Sequence, residues 1–286
     1  MSKTLLNRLA MLEVLDLTGP LTVTELARRS GLDVTVVSRT VAACEPGGWL
    51  VRLDGKVALG PRCTLLGHNG PTAEVIARAA PLVHAVAGVT GLLTRAYGLV
   101  GENAVLIAAA AGRELTLPPG PSLHAPLYAS AGGQAIAAQL DPERLAALLP
   151  PEPYPDAAAV FSALSGTAAE AFLAALNRPT GSARAPRPLA RNRAELEAQL
   201  ETIRRDQVAI DDGSLEPALA CIAVPWPQPA LPAALVCVGP TDTLASDLAF
   251  IKHALAAAGR PGATPREVVA TAARTIDGVP TSGSQS

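Results

Sequence analysis

Residues 21–62 read LTVTELARRSGLDVTVVSRTVAACEPGGWLVRLDGKVALGPR and decide the fold of the N-terminal part of the chain. Thr22 precedes Glu25 by three residues, which is the capping-box pattern that begins a helix. Gly31 then provides a tight turn, and Asp33 is a suitable N-cap for another helix, which a Pro-Gly-Gly sequence ends. The stretch therefore predicts two helices joined by a short turn.

A hairpin is predicted directly after these helices. Asp54-Gly55 lies between two short runs of alternating residues, 49–53 and 56–59, and this is a strong hairpin signal. Upstream, leucines at near-helical spacing over residues 4–17 predict a further helix, which a Gly-Pro pair ends. Three short helices followed by a hairpin predict a winged helix-turn-helix over residues 1–62.

The third helix is expected to enter the major groove of DNA, because the second helix braces it there. Val37 and Val41 have the spacing of core residues, so the opposite face of this helix points outward. Hydroxyl and basic side chains on that face suit bases and phosphates, and Val34 suits a thymine methyl group. The predicted DNA-binding residues are Arg28, Val34, Thr35, Ser38, Arg39, Arg52 and Lys56. Binding of a protein through the same module is the alternative.

The segments 21–32, 37–39 and 53–62 resemble the IclR family of transcriptional regulators. The resemblance implies an α+β chain, with an N-terminal all-α winged helix-turn-helix carrying a small wing hairpin and a C-terminal GAF-like α/β effector-binding domain. It also implies a homodimer or a dimer of dimers that binds a double-stranded DNA operator. The segments 125–135 and 204–240 extend the resemblance to about residue 258.

Four regions are expected along the chain. Residues 1–62 form the DNA-binding domain, 63–88 a linker and connecting helix, 89–260 the effector-binding domain and 261–286 a partly disordered C-terminal extension. A linker break is predicted at 68–71 and a helix over 72–88 that is interrupted at Pro81. Further helices are predicted over 127–140, 167–176, 193–206 and 242–258, a loop over 117–126, and strands over 92–99, 103–110, 208–211, 219–224 and 233–238.

The resemblance also implies that a small-molecule effector lies between the sheet and a glycine-bearing helix. The positions that match the family's ligand contacts are Gly132, Gly133, Asp211, Leu219, Cys221, Val236 and Val238. Carboxylate-binding members carry hydroxyl residues where this chain has Val236 and Val238. We therefore expect an apolar or weakly polar effector that Asp211 orients. The alternative is that these valines belong to the core and that Asp211 is a turn residue.

Composition and motifs favour a protein that is not an enzyme; an enzyme whose C-terminal domain is catalytic is the alternative. The 286 residues carry a net charge of −2, and 49% of them are hydrophobic, which allows about two cores. Neither the four histidines nor the four cysteines form a local metal-binding pattern, and no nucleophile-elbow or phosphate-loop motif is present. We expect no cofactor and no metal, although Cys221 and Cys237 on neighbouring strands leave a redox pair as an alternative. The absence of a signal-peptide pattern and of a long apolar run predicts a cytoplasmic protein without a membrane segment.

Overall fold

The computed structural model describes residues 3–65, 73–101, 103–112, 124–157, 159–160, 188–215, 219–229 and 231–277. They divide into two compact units, the N-terminal unit Met1–Ala73 and the C-terminal unit Glu74–Ser286. The linker break predicted at 68–71 and the helix predicted over 167–176 lie outside the described residues.

The N-terminal unit has the helix and strand order of a winged helix-turn-helix. Its elements are α1 (Lys3–Thr18), α2 (Val23–Ser30), α3 (Val34–Cys44), β1 (Leu50–Leu53), β2 (Lys56–Leu59) and α4 (Pro61–Leu65). The β-strands pair antiparallel around Asp54 and Gly55, which both adopt positive φ angles, of 51° and 76°. A two-residue turn of this type matches the twist of the flanking strands. The predicted hairpin is therefore confirmed.

Local capping and a small core hold this unit together. The Thr22 side chain accepts the Glu25 backbone N–H at 3.2 Å, and the Glu25 carboxylate accepts the Thr22 backbone N–H at 3.0 Å. The capping box read in the sequence is therefore present at the start of α2. The core beneath the three helices and the hairpin consists of Met11, Leu15, Leu21, Leu26, Ala27, Val37, Val41, Leu50 and Val57.

The C-terminal unit is built on one antiparallel sheet. Its elements are α5 (Ala73–Thr90), β3 (Leu93–Val100), β4 (Asn103–Ala110), β5 (His124–Ala125), α6 (Ala131–Ala137), α7 (Pro142–Leu148), α8 (Arg193–Asp206), β6 (Ala209–Asp211), β7 (Leu219–Pro225), β8 (Ala233–Pro240), α9 (Thr241–Ser246), α10 (Leu248–Gly259) and α11 (Pro265–Asp277). The strand order is β5-β4-β3-β8-β7-β6, and every neighbouring pair is antiparallel. Helices against a sheet confirm the predicted α/β class of this unit.

Helices cover both faces of the sheet. The inner face is the one that α6 contacts; its buried residues include Leu93, Tyr97, Ala223, Val236 and Val238. The outer face carries α9 and α10, and its buried residues include Leu92, Ala96, Ile222, Leu235 and Cys237. On the inner side α8 packs on α6, and the Gln134 side-chain amide donates to the Gln199 side-chain oxygen at 2.8 Å. Both faces therefore contribute to a hydrophobic core, as expected for a sheet between two layers of helices.

Helix α5 differs from its prediction, because it continues through Pro81 without an interruption. Proline removes one helical hydrogen bond, but Pro81 is exposed, and Ala79 before it and Leu82 after it are buried in the core of the outer face. Packing on both sides of the proline therefore holds the helix together. By length and composition alone α5 would be able to cross a membrane; its buried side chains lie in this core instead.

Other element boundaries were wrong in the sequence prediction. The helix predicted over 127–140 is limited to Ala131–Ala137, because the Ser130 hydroxyl caps it by accepting the Gly133 N–H at 3.0 Å. The helix predicted over 242–258 is divided at Asp247 into α9 and α10. Three of the described helices were not predicted: α4 follows the hairpin, α7 follows the N-cap Asp141, and α11 lies in the extension expected to be partly disordered. Within the loop predicted over 117–126, the two-residue strand β5 pairs with β4.

Candidate DNA-contacting surface and effector site

Helix α3 presents one face to the core and the other to solvent. The Asp33 carboxylate accepts the Thr35 backbone N–H at 2.7 Å, so the helix begins where the sequence predicted. Val37 and Val41 are completely buried beneath it. The N-cap at Asp33 fixes the first residue of α3, and the burial of Val37 and Val41 fixes which face of the helix is exposed to solvent.

Every residue predicted to contact DNA lies at the surface of the N-terminal unit. Four of them are exposed on α3, one in the last turn of α2 and two on the hairpin; in chain order they are Arg28, Val34, Thr35, Ser38, Arg39, Arg52 and Lys56. The structure also exposes Val36, which sequence reasoning did not select. A helical wheel centred on Val37 would have placed Val36 at the margin of the core.

Arg52 on the hairpin is tied to the end of α3. Its Nε lies 3.2 Å from the Glu45 carboxylate, and both side chains are partly exposed. Glu45 is the C-cap residue of α3, so this ion pair connects the wing to the recognition helix. Nearby, the Arg62 guanidinium stacks 4.8 Å from the centre of the Trp49 ring. Arg52 therefore supports the wing geometry, and its contact with a DNA phosphate stays a prediction.

The predicted effector residues of the strands share the inner face of the sheet. Cys221 on β7 pairs with Val238 on one side and with Asp211 on the other, and Val236 pairs with Ala223 in the next row. Because side chains on one face recur with period two, these positions form two neighbouring rows. Val236 and Val238 are buried, whereas Leu219 and Cys221 are partly exposed.

Gly132 and Gly133 allow α6 to lie close to its neighbours. A β-carbon on Gly132 would lie 3.0 Å from Val236 Cγ2 and 3.3 Å from Tyr97 Cδ2. A β-carbon on Gly133 would overlap the carbonyl oxygen of Pro126. Gly132 therefore packs directly against the inner surface of the sheet, while Gly133 accommodates the turn before the helix. Contact of either glycine with an effector stays a prediction.

Asp211 is buried, with 7% of its surface exposed. Burial raises the pKa of its carboxyl group, and the backbone N–H of Ser214, which Oδ1 accepts at 2.7 Å, opposes that rise. One carboxyl oxygen thus stabilises the turn after β6. The predicted role of Asp211 in orienting an effector stays a prediction.

The structure adds Arg95, a residue that sequence reasoning missed. Arg95 lies on β3 directly opposite Val236, is only 5% exposed, and donates from Nη1 to the Tyr97 hydroxyl at 3.3 Å. Its position alternates with outer-face Ala96, so its side chain belongs to the inner face. The signal in the sequence was an arginine inside an otherwise apolar strand. A buried guanidinium is uncommon and is a candidate for a functional role.

The cysteine pair considered from the sequence does not form. Cys221 lies on the inner face, while Cys237 pairs across the strands with Ile222 and lies on the outer face. Burial raises the pKa of both thiols, that of Cys237 to about 12, so neither is a ready thiolate nucleophile. Among the described residues, no group of His, Cys, Asp and Glu side chains converges as a metal site.

Comparison with known proteins identifies the architecture. No family model and no curated protein matches the sequence. Among solved structures, an IclR homologue of Microbacterium hydrocarbonoxydans in complex with 4-hydroxybenzoate is 20% identical, with 95% of this chain and 100% of that chain covered and a TM-score of 0.55. The IclR protein of Thermotoga maritima is 18% identical, with coverages of 96% and 98% and a TM-score of 0.55. An IclR regulator of Alicyclobacillus acidocaldarius is 18% identical, with coverages of 95% and 99% and a TM-score of 0.53. The chain therefore has the fold of the IclR-family transcriptional regulators, a winged helix-turn-helix followed by a GAF-like α/β unit.

Proposed function

We propose that this protein is a sequence-specific DNA-binding transcriptional regulator whose operator binding is modulated by a small molecule held in the C-terminal unit. The observation that carries the proposal is the exposed face of α3, with Arg39 at its centre, in a chain that has the IclR fold. The proposal includes no enzymatic reaction and places the protein in the cytoplasm.

The electrostatics of the N-terminal unit support DNA as the partner. The basic side chains of Arg28, Arg29, Arg39 and Lys56 are all exposed on the helix-turn-helix or the wing. Arg39 is the only one on α3, and a bidentate arginine contact to guanine is the commonest specific contact in the major groove. The other three suit backbone phosphates, which fix the orientation of a protein on DNA.

A homodimer or a dimer of dimers is part of the proposal. One recognition helix reads only a few base pairs, and two half-sites one helical turn apart multiply the specificity. We therefore expect the operator to be pseudo-palindromic.

The inner face of the sheet changes the expected chemistry of the effector. Val236 and Val238 are buried apolar residues of this face, and the guanidinium of Arg95 lies on the same face. A charge-assisted hydrogen bond to a buried arginine favours an anionic group. We propose an effector with an apolar body and one carboxylate. 4-Hydroxybenzoate, which is bound by the Microbacterium homologue, combines these features with a hydroxyl group that can donate to Asp211.

DNA binding is tested with the full-length chain. Duplexes are selected from a random library, and the affinity for the best duplex is measured by fluorescence anisotropy at 50–200 mM salt. We expect the affinity to fall steeply with salt, because bound phosphates release counterions. Arg39→Ala is expected to weaken binding by about 1–3 kcal/mol. Arg266→Ala removes the same charge from α11 and serves as the matched control.

Two results would contradict the DNA-binding proposal. The first is a selection that enriches no sequence, which would favour the alternative left open by the sequence, that the N-terminal unit binds a protein. The second is an equal effect of Arg39→Ala and its control, which would exclude the α3 face as the reading surface.

Effector binding is tested by calorimetry with 4-hydroxybenzoate and its neutral amide. We expect the acid to bind at least about tenfold more tightly, equivalent to about 1.4 kcal/mol. Arg95→Met is expected to remove this preference, while Arg204→Met, outside the inner face, is the control. Equal binding of acid and amide by the unmodified protein would contradict the assigned role of Arg95.

A further inference from the structure

The first turn of α3 exposes two valines. Val34 is 46% and Val36 47% exposed, whereas Val37 and Val41 on the same helix are completely buried. A single exposed valine is ordinary on a protein surface. Here, however, both lie in the part of the helix whose residues contact base edges in helix-turn-helix complexes.

Helix geometry places these valines on both sides of the polar residues. Successive residues are about 100° apart around an α-helix, so Thr35 and Arg39 occupy the middle of the exposed face. Val34 lies at one margin of that face, and Val36 lies at the other, with a rise of only about 3 Å between their Cα atoms along the axis. A base step entering this turn would therefore meet apolar side chains at both margins.

The side chains between them are too short to read many bases by hydrogen bonding. Thr35 and Ser38 carry only hydroxyl groups, and Arg39 is the one long side chain on the exposed face of this helix. Valine neither donates nor accepts a hydrogen bond. In the major groove its only apolar partner is the 5-methyl group of thymine, which cytosine lacks.

We propose that Val34 and Val36 determine operator specificity by contacting thymine methyl groups, so that each half-site contains thymines recognised through the methyl group. This inference rests on the proposed DNA binding, and it identifies the 5-methyl group of thymine as the feature that the protein recognises. Arg39 then contacts a neighbouring guanine, while the hydroxyl groups of Thr35 and Ser38 form hydrogen bonds with bases or phosphates. The predicted operator is defined by thymine positions that uracil cannot replace.

The test replaces thymine by deoxyuridine in the selected duplex, one position of a half-site at a time. This removes the methyl group and leaves base pairing and every hydrogen-bonding atom unchanged. For the unmodified full-length protein, we expect one or two positions at which deoxyuridine weakens binding about three- to fivefold, as expected for loss of one buried methyl group.

Alanine variants assign each methyl contact to a side chain. Val34→Ala and Val36→Ala are each expected to bind the thymine duplex about three- to tenfold more weakly and to lose the penalty for deoxyuridine at one position. Val269→Ala is the matched control, because this valine is 49% exposed on α11. It should retain the full penalty. Thermal unfolding of the variants checks that α3 is intact.

The outcomes separate this inference from the function on which it rests. A selected operator that is insensitive to deoxyuridine at every position, or a penalty that persists in both alanine variants, overturns the inference and leaves the regulator function intact. Failure to select any duplex overturns the proposed function and this inference together.

Discussion

Replacing Gly133 by alanine tests how closely α6 is held against the turn before it. A β-carbon at this position overlaps the carbonyl oxygen of Pro126 and lies 2.7 Å from its carbonyl carbon and 2.8 Å from Ser130 Oγ. Two of these atoms belong to the backbone, and Ser130 caps the same helix. The two backbone atoms cannot rotate away, and the Ser130 hydroxyl can do so only by giving up its cap on α6, so the start of α6 must move.

The magnitude follows from two opposing terms. Inserting a methyl group into a well-packed site typically costs about 1–3 kcal/mol, and a clash with backbone lies at the upper end. Replacing glycine by alanine in a helix returns about 1 kcal/mol of intrinsic propensity. The expected net loss is therefore about 2 kcal/mol in the free energy of unfolding. For a unit of roughly 200 residues this corresponds to a fall in Tm of about 4–8 °C.

Scanning calorimetry and urea unfolding of the full-length chain measure this effect. Gly132→Ala is the matched control, because it gains the same helix propensity but meets only side-chain atoms, at 3.0 Å on Val236 and 3.3 Å on Tyr97. These atoms can shift by a few tenths of an ångström, so we expect this variant to stay within about 1 kcal/mol of the parent. Equal Tm values for the two variants, or a more stable Gly133→Ala, would refute the reasoning.

Three further predictions concern charge and capping. Asp211→Asn keeps an oxygen for the Ser214 N–H but removes a carboxyl group whose pKa is raised by burial. The stability that Asp211 contributes is complete below its unfolded pKa of about 3.9 and is lost as pH rises through the folded pKa. The asparagine variant should therefore exceed the parent in Tm at pH 8 and lose that advantage toward pH 4; an advantage independent of pH would contradict the cause given. Thr22→Ala removes the cap of α2 and should lower the urea-unfolding free energy of the N-terminal unit by about 1 kcal/mol, while an unchanged value would show that the cap is dispensable. Arg52→Ala breaks an exposed ion pair with Glu45, so stability should change by less than about 1 kcal/mol, while the salt dependence of operator binding should flatten by about one unit of slope. A larger loss of stability than of DNA affinity would assign Arg52 to the fold alone.

The N-terminal unit was predictable because its signals are local. The capping box at Thr22, the N-cap at Asp33 and the Asp54-Gly55 turn each specify a boundary within a few residues of sequence. Helical and alternating periodicity then indicated which side chains face inward. Val36 was the omission, since a position at the margin of the core becomes exposed or buried according to the packing around it.

In the C-terminal unit the sequence predicted the boundaries of the central strands to within about two residues. The boundaries of several helices around the sheet depended on tertiary packing. The strand over residues 103–110 and the helix over 193–206 coincide with their predictions. Pro81 does not interrupt α5, and Asp247 divides a helix predicted as continuous, because packing against the sheet compensates for local preferences or overrides them.

The candidate effector site shows most clearly which features follow from local sequence and which follow from tertiary contacts. Period-two spacing was enough to place Val236 and Val238 on one face of a strand. Which strands are neighbours depends on pairing between distant segments, and that pairing separates Cys221 from Cys237 and brings Arg95 opposite Val236. Local sequence therefore determined the winged helix-turn-helix and the face of each strand on which a side chain lies. Only the tertiary structure decided which polar groups share the inner face, because burial and charge proximity arise from contacts that no local pattern encodes.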